Sequence, residues 1–205
     1  MHNSEERPHT FCFFGRSGAG KGVQSQKIID YIKAKPSGRE VIYIETGQLF
    51  RDFIKNNESH SSDMVRKVIM GEGGLLPAFL PVWMWSDHLV KNFSGEEHLV
   101  FDGIARRLME APILEEALGF YGRHDTNVVY IDVSPECAMK RLIGRGRQDD
   151  TEEKIKERLD WYEENVIPAI DFFRGSENVN FISIDGDQTP EEVHLDIVKN
   201  TIERE

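Results

Sequence analysis

The chain has 205 residues, a formal net charge of −11, and charged side chains at 30% of its positions. This length suffices for one substantial hydrophobic core, and the acidic balance argues against non-specific binding of nucleic acid. The two cysteines, Cys12 and Cys137, lie far apart, which indicates no disulfide framework. No apolar run is long enough to cross a bilayer. We therefore expect a monomeric cytoplasmic protein that binds neither nucleic acid nor membranes.

Five short apolar runs, rich in Val, Ile, Phe and Tyr, predict β-strands. They cover residues 10–14, 41–44, 98–101, 127–131 and 180–184. Helical spacing of apolar residues marks 24–33, 48–55, 78–91, 109–118, 135–142, 151–173 and 191–202. Strands alternating with helices predict an α/β fold, a five-stranded parallel sheet with helices on both faces. The strand-free stretch 46–97 is too long for a simple crossover and predicts a helical insert, with a break at its Gly71-Glu72-Gly73-Gly74 segment.

A glycine-rich loop, Gly15-Arg16-Ser17-Gly18-Ala19-Gly20-Lys21-Gly22, separates the first predicted strand from the first predicted helix. A strand, a glycine loop, a lysine and a helix in this order are typical of a phosphate-binding loop. The glycines allow backbone N–H groups to converge on an anion, and the helix start adds unpaired N–H groups. Where such loops usually continue with Ser or Thr, which helps to hold Mg²⁺, this chain has Gly22 and then Val23. Metal binding must therefore rely on other groups.

Other residues that could act on phosphate follow the predicted strands and the glycine turns. Asp102 follows the third strand, where it could hold Mg²⁺ directly or through water, or simply form a turn with Gly103. The guanidinium group suits phosphate because it can bond two oxygens at once. The arginines placed near these strand ends and glycine turns are Arg51, Arg106, Arg107, Arg141, Arg145, Arg147 and Arg158.

These motifs together resemble the adenylate kinase family of nucleoside monophosphate kinases, and the resemblance covers nearly the whole chain. Thr46-Gly47-Gln48-Leu49-Phe50-Arg51 resembles the family's Thr-Gly-Asp-x-x-Arg segment, and Asp102-Gly103-Ile104-Ala105-Arg106 resembles Asp-Gly-Phe-Pro-Arg. Gly74-Leu75-Leu76-Pro77 resembles the segment beside the acceptor base, and Ile184-Asp185-Gly186-Asp187-Gln188-Thr189-Pro190 the loop on the ATP adenine. Arg147-Gln148-Asp149-Asp150, with Arg158 and Tyr162, resembles the lid exit and the helix after it.

The resemblance implies a single P-loop NTPase-type kinase domain over 1–205. Residues 46–97 would form the nucleoside monophosphate (NMP)-binding insert, and 141–150 a very short lid loop without zinc. The implied activity is Mg²⁺-dependent, reversible phosphoryl transfer from ATP to a nucleoside monophosphate in nucleotide biosynthesis, with AMP as the leading acceptor. Two alternatives remain open: a kinase of the same fold for UMP, CMP or GMP, and a nucleotide-binding regulator that has lost transferase activity.

Carried over position by position, the family's roles fall on three sets of residues. The phosphoryl-transfer set is Lys21, Arg141, Arg145, Arg147 and Arg158. The ATP-binding set is Gly15, Ser17, Gly18, Ala19, Gly20, Lys21, Gly22, Val23, Arg141 and Gln188. The acceptor set is Thr46, Gly47, Arg51, Leu76, Gly103, Arg106, Glu110, Arg147 and Arg158. Asp102 would hold Mg²⁺, through water.

Glu110 stands where the family has a Gln that pairs with adenine. An ionised glutamate can only accept hydrogen bonds, whereas glutamine both donates and accepts. Glu110 could therefore accept from the base amino group, or it could be a helix-start glutamate favoured by the helix dipole. Val23, Gln48 and Ala105 are further departures from the family pattern.

Overall fold

The computed structural model describes residues 7–35, 38–69, 76–145 and 152–204, with backbone alone for 145, 152–154 and 158. All five predicted strands are confirmed, and the last four extend by a residue at one or both ends. They pair in parallel in the order β2-β3-β1-β4-β5. Their bounds are β1 Thr10–Phe14, β2 Val41–Glu45, β3 His98–Asp102, β4 Thr126–Asp132 and β5 Val179–Asp185.

The described part of the chain contains nine α-helices. They are α1 Lys21–Lys33, α2 Thr46–Asn56, α3 His60–Lys67, α4 Phe79–Asn92, α5 Ala111–Phe120, α6 Pro135–Arg145, α7 Glu152–Asn165, α8 Ile167–Arg174 and α9 Pro190–Thr201. A 3₁₀ turn, Leu108–Glu110, leads into α5. The predicted helices are confirmed with two corrections: α3 was not predicted, and the single helix expected over 151–173 is two helices, α7 and α8.

The side chains of β1 alternate between two hydrophobic cores, one on each face of the sheet. Phe11 and Phe13 pack into the core that α1 and α9 cover, whereas Cys12 and Phe14 pack into the core under α4, α5 and α8. All β1 residues are buried, because helices cover both faces of a parallel sheet. Burial on both faces explains why the sequence of this strand is a continuous apolar run.

A third, smaller hydrophobic cluster lies within the stretch expected to form the insert. Phe50 of α2, Val65 of α3 and Met84 of α4 meet there with Leu76. This cluster explains why α3 forms although its sequence is mostly polar. Ser59 caps the helix through its hydroxyl, and Val65, which is fully buried, anchors it.

The strand order reverses at β1, which lies between β3 and β4. Loops that leave the carboxyl ends of neighbouring strands diverge at such a point and open a crevice, the usual ligand site of open α/β sheets. The register places the carboxyl ends of β1, β2 and β3 side by side, since Asp102 pairs with both Phe13 and Glu45. Within the described residues, no helix is both long enough and apolar enough to span a membrane.

Candidate active site

The phosphate loop leaves the carboxyl end of β1 and enters α1 at the point where the strand order reverses. Gly18 has a φ of 86°, and a Cβ there would lie 2.7 Å from the Ala138 carbonyl oxygen, so only glycine fits without strain. The Lys21 ammonium folds back over the loop and donates to the carbonyl oxygens of Gly15 at 2.8 Å and Arg16 at 3.1 Å. The loop itself thus fixes the position of its lysine.

Asp102, at the end of β3, faces the start of α1. Its Oδ2 would lie 3.3 Å from a Cβ on Gly22, so a side chain after Lys21 would crowd the carboxylate. The Tyr43 hydroxyl donates to the same oxygen at 3.4 Å. Burial raises the pKa of Asp102, although the nearby Lys21 charge opposes this shift. Asp102 therefore occupies the space beside Gly22, where the hydroxyl of a Ser or Thr after the lysine would otherwise lie.

The predicted acceptor side begins where β2 meets α2. Glu45 ends β2, and its Oε1 accepts from Arg51 Nη2 at 2.9 Å, while the Gln48 amide oxygen accepts from the same nitrogen at 2.8 Å. The Thr46 hydroxyl is buried and has no hydrogen-bond partner among the described residues. A buried polar group without a partner is costly, and a polar ligand atom here would satisfy it.

The segment after β3 presents Arg106 to the cleft. Ala105 has a φ of 47°, a value that proline cannot adopt, so the family's proline is incompatible with this backbone. The Glu110 carboxylate accepts from the Arg106 backbone N–H at 2.9 Å, and only 3% of Glu110 is exposed. Burial raises the pKa of Glu110, and the bond from Arg106 opposes that shift. The Arg106 guanidinium lies over Trp161, 5.5 Å from the ring centroid.

The predicted donor side is formed by α6 and the segment between β5 and α9. Arg141 Nη2 donates to the carbonyl oxygens of Gly186 at 2.8 Å and Gln188 at 3.1 Å. The Gln188 side chain donates to Asp196 Oδ2 at 3.0 Å and to the Asp185 carbonyl. Arg141 therefore ties α6 to the segment that resembles the family's adenine loop.

One cavity of about 740 Å³ joins these parts. Most predicted site residues line it: Ser17, Gly18, Ala19, Gly20, Lys21, Gly22, Val23, Gly47, Asp102, Gly103, Arg106, Arg141 and Gln188. The lining does not include Gly15, Thr46, Arg51, Leu76 or Glu110. Leu76 instead packs in the small cluster with Phe50. Arg147 lies outside the described residues, as do Gly74, Leu75 and residues 146–150 of the predicted lid loop, and for Arg145 and Arg158 only the backbone is described.

Five lining residues were not predicted as site residues: Gln24, Glu45, Leu142, Pro190 and Val193. Glu45 is an acid directly after the predicted second strand, and the same signal that identified Asp102 after the third strand could have found it. Gln24 on α1 donates to the Pro190 carbonyl at 2.8 Å, and its amide oxygen is buried without a partner among the described residues. Its place under α9 depends on helix packing, which the sequence does not reveal.

The cavity can hold a phosphate chain between a lysine and two arginines, with a carboxylate at its floor. The described residues contain no group of three or more His, Cys, Asp or Glu side chains that could hold a metal. Mg²⁺ needs no such group when phosphates are present, because it is bound by one or two carboxylates, the phosphates and water. Asp102 and Glu45 line the cavity from directly paired positions on β3 and β2, and thus fit this requirement.

Comparison with known proteins identifies the family. The model of the adenylate kinase family matches residues 13–178. "Adenylate kinase 1" of Nostoc sp. is 32% identical over 181 residues, which cover 88% of this chain and 92% of that protein. The adenylate kinase of Prochlorococcus marinus is 33% identical over 85% of this chain and 90% of its own length. That of Leptospira biflexa is 34% identical over 80% and 85%. The chain belongs to the adenylate kinase family, whose members are P-loop nucleoside monophosphate kinases.

Proposed function

We propose that this protein catalyses reversible, Mg²⁺-dependent transfer of the γ-phosphoryl group of ATP to a nucleoside monophosphate, with AMP as the preferred acceptor. The observation that carries the proposal is the single cavity that joins Lys21 of the phosphate loop to Gly47 and Arg106 of the acceptor side. Direct transfer needs both nucleotides in one water-excluding cleft, and no covalent enzyme intermediate. The relatives named as adenylate kinases favour AMP.

The residues act by position and charge. Lys21 would bind the outer phosphates of ATP, and Arg141, Arg145, Arg147 and Arg158 would surround the transferring group, whose charge spreads over three oxygens. Thr46, Arg51 and Arg106 would hold the acceptor phosphate and ribose side, and Glu110 would help to read the base. Gln188 and its loop would pack on the adenine of ATP.

Asp102 would hold Mg²⁺ through water, with Glu45 beside it. When bound, the ion neutralises negative charge on the phosphate oxygens. The raised pKa of Asp102 reflects a buried carboxylate whose charge Lys21 only partly compensates. A cation near Asp102 would complete that compensation, which is why we assign the metal to this carboxylate.

The proposal also covers the domain organisation, the oligomeric state and the cellular compartment. Residues 46–97 would act as the acceptor insert and 141–150 as a short lid loop. We propose a monomeric cytoplasmic enzyme that binds nucleotides and neither nucleic acid nor membranes. Both cysteines are free thiols, as a reducing compartment allows. Light scattering coupled to gel filtration tests the monomer.

A coupled assay with ATP, Mg²⁺ and each of AMP, GMP, CMP and UMP tests the function. We expect transfer with all or some of these acceptors, the highest kcat/KM with AMP, and loss of transfer on chelation of Mg²⁺. Lys21→Ala is the negative control, since it should nearly abolish turnover while it changes the affinity for ATP less. Preference for another monophosphate would reassign the acceptor. ATP binding without any transfer would make the protein a nucleotide-binding regulator instead.

A further inference from the structure

Arg16 is a cation in the phosphate loop whose side chain does not line the phosphate cavity. The cavity lining starts at the next residue, Ser17. Only 9% of the Arg16 side chain is exposed, although arginines are rarely buried unless they are paired. Its guanidinium is therefore held inside the protein, next to the cavity and separate from it.

Two adjacent residues of α7 hold this guanidinium. Its central carbon lies 5.0 Å from the centroid of the Tyr162 ring, and Tyr162 itself is 3% exposed. Arg16 Nη2 lies 3.1 Å from an oxygen of Glu163, whose side chain is 56% exposed. The Nε of Arg16 is buried without a hydrogen-bond partner among the described residues. The desolvated ring face is therefore the main partner, and the ion pair, open to solvent on the glutamate side, is the weaker one.

The backbone of the same residue contacts the lysine of the loop. The Arg16 carbonyl oxygen accepts from Lys21 Nζ at 3.1 Å and from the Ala19 N–H at 3.1 Å. A shift of Arg16 would move an oxygen that holds the Lys21 ammonium. Helix α7 also carries Arg158 one turn before Tyr162, so the contact joins the loop to the helix of a second proposed catalytic residue.

We infer that Arg16 is a positioning residue: its side chain anchors the phosphate loop to Tyr162 of α7, so that its carbonyl oxygen keeps Lys21 in place. This inference rests on the proposed phosphoryl transfer for its kinetic consequence. A direct phosphate contact by Arg16 is the competing role, and the two differ in what is lost. Misplacing Lys21 lowers kcat, whereas removing a ground-state phosphate ligand raises the KM for ATP with kcat unchanged.

The first experiment compares Arg16→Met with Arg123→Met. Arg123 is also buried, lies over an aromatic ring at 4.9 Å from the Phe93 centroid, and donates to backbone carbonyls, but it does not line the phosphate cavity. Both variants lose a buried arginine stacked on a ring, and both should melt at lower temperature. Per folded molecule, Arg16→Met should lose about tenfold or more in kcat, and Arg123→Met less than about twofold. Equal kcat in the two variants, or a rise in the KM for ATP alone, would overturn the inference.

Substitutions on α7 test whether the ring face is the anchor. Tyr162→Phe keeps the face and should retain kcat within about twofold, whereas Tyr162→Leu should fall towards the level of Arg16→Met. Glu163→Gln should change kcat by less than about twofold, because its carboxylate is largely exposed. A kcat of Tyr162→Leu that matches Tyr162→Phe would contradict the anchoring role.

A double-mutant cycle measures the link to Lys21 without any turnover. Calorimetry gives the affinity for ATP in the wild type, Arg16→Met, Lys21→Ala and the double variant. If Arg16 acts through Lys21, Arg16→Met weakens ATP binding in the wild-type background and has no further effect once Lys21 is gone. Additive losses would show that Arg16 acts independently of Lys21 and would refute the inference. A wild type that binds ATP without transferring phosphoryl would refute the proposed function alone, since the cycle would still decide the role of Arg16.

Discussion

Arg106 is placed by its backbone as well as by its side chain, since Glu110 holds its N–H and Trp161 lies beneath its guanidinium. Arg106→Ala should raise the KM for the acceptor about ten- to hundredfold, because a charge-assisted bond contributes roughly 1.5–3 kcal/mol, and should change the KM for ATP less. Arg107→Ala is the matched control, since that neighbour does not line the cavity. An equal rise in both Michaelis constants would contradict the assignment of Arg106 to the acceptor.

Glu110 is buried at the N-terminal end of α5, so it is a helix-start glutamate whose carboxylate also accepts from the Arg106 N–H. Glu110→Gln keeps an acceptor oxygen for the Arg106 N–H and adds an amide donor for the base. We expect kcat/KM for AMP to rise relative to GMP, CMP and UMP by about two- to tenfold, the value of one gained hydrogen bond. Glu110→Leu removes both functions and should raise the KM for every acceptor. An unchanged preference among the four monophosphates in Glu110→Gln would show that Glu110 supports the Arg106 backbone and does not contact the base.

Asp102 combines a proposed metal role with a cost in stability. Burial raises its folded-state pKa, so the folded protein binds this proton more tightly than the unfolded chain does, and stability falls as the pH rises through that pKa. Asp102→Asn should therefore raise the melting temperature at neutral pH while it lowers Mg²⁺-dependent turnover.

Calorimetric scans of Asp102→Asn and the wild type between about pH 8 and pH 4 measure this effect, because the unfolded carboxyl titrates near pH 3.9. The gain in melting temperature should shrink as the pH falls and Asp102 is protonated. Asp132→Asn, at the exposed end of β4, is the control for removing a carboxylate at a strand end. A gain in melting temperature that grows towards low pH would contradict a raised pKa of Asp102 in the folded protein.

At the scale of elements, α9 begins with a capping box next to the proposed donor side. The Thr189 hydroxyl accepts from the Glu192 N–H, and the Glu192 carboxylate accepts from the Thr189 N–H. Thr189→Ala should destabilise the protein by about 1 kcal/mol, a typical value for a lost cap, and raise the KM for ATP, because Pro190 and Gln188 line the cavity. Thr201→Ala, at the other end of α9, should leave that KM unchanged.

Chemical denaturation and initial-rate kinetics on the two threonine variants check this prediction. Thr201 donates to the Ile197 carbonyl inside the helix and caps nothing. An unchanged KM for ATP in Thr189→Ala would show that the helix cap does not affect ATP binding.

Most elements could be predicted because their periodicity was strong, and the two misses have physical causes. Helix α3 has few apolar residues, so its face only becomes evident once Val65 meets Phe50. The division between α7 and α8 follows from Pro168, which lacks an N–H for the helical ladder and lies in the first turn of α8. The apolar residues on both sides keep helical spacing, which made the two helices resemble one.

For the whole molecule, the separate small cluster around Val65 predicts uneven stability. Val65→Ala should remove roughly 1–3 kcal/mol locally, lower the hydrogen-exchange protection of α2 and α3, and raise the KM for the acceptor. Val128→Ala, in the core of the sheet, should instead lower the global melting temperature. Both valines are fully buried, so the two variants differ in which hydrophobic cluster loses the side chain and not in its burial. Equal global destabilisation by both would show that the insert and the sheet unfold as one unit.

The sequence by itself determined the phosphate loop, the five parallel strands and the family, because glycine spacing and buried apolar runs are local signals. The pairing of Lys21, Asp102 and Arg106 around one cavity could be anticipated from strand ends, since parallel strands present their carboxyl ends at one edge. Only the tertiary structure decided that Arg16 faces α7 and that Glu110 supports the Arg106 backbone. Those contacts join residues from different elements, and the direction in which a side chain points there depends on packing that no local pattern encodes.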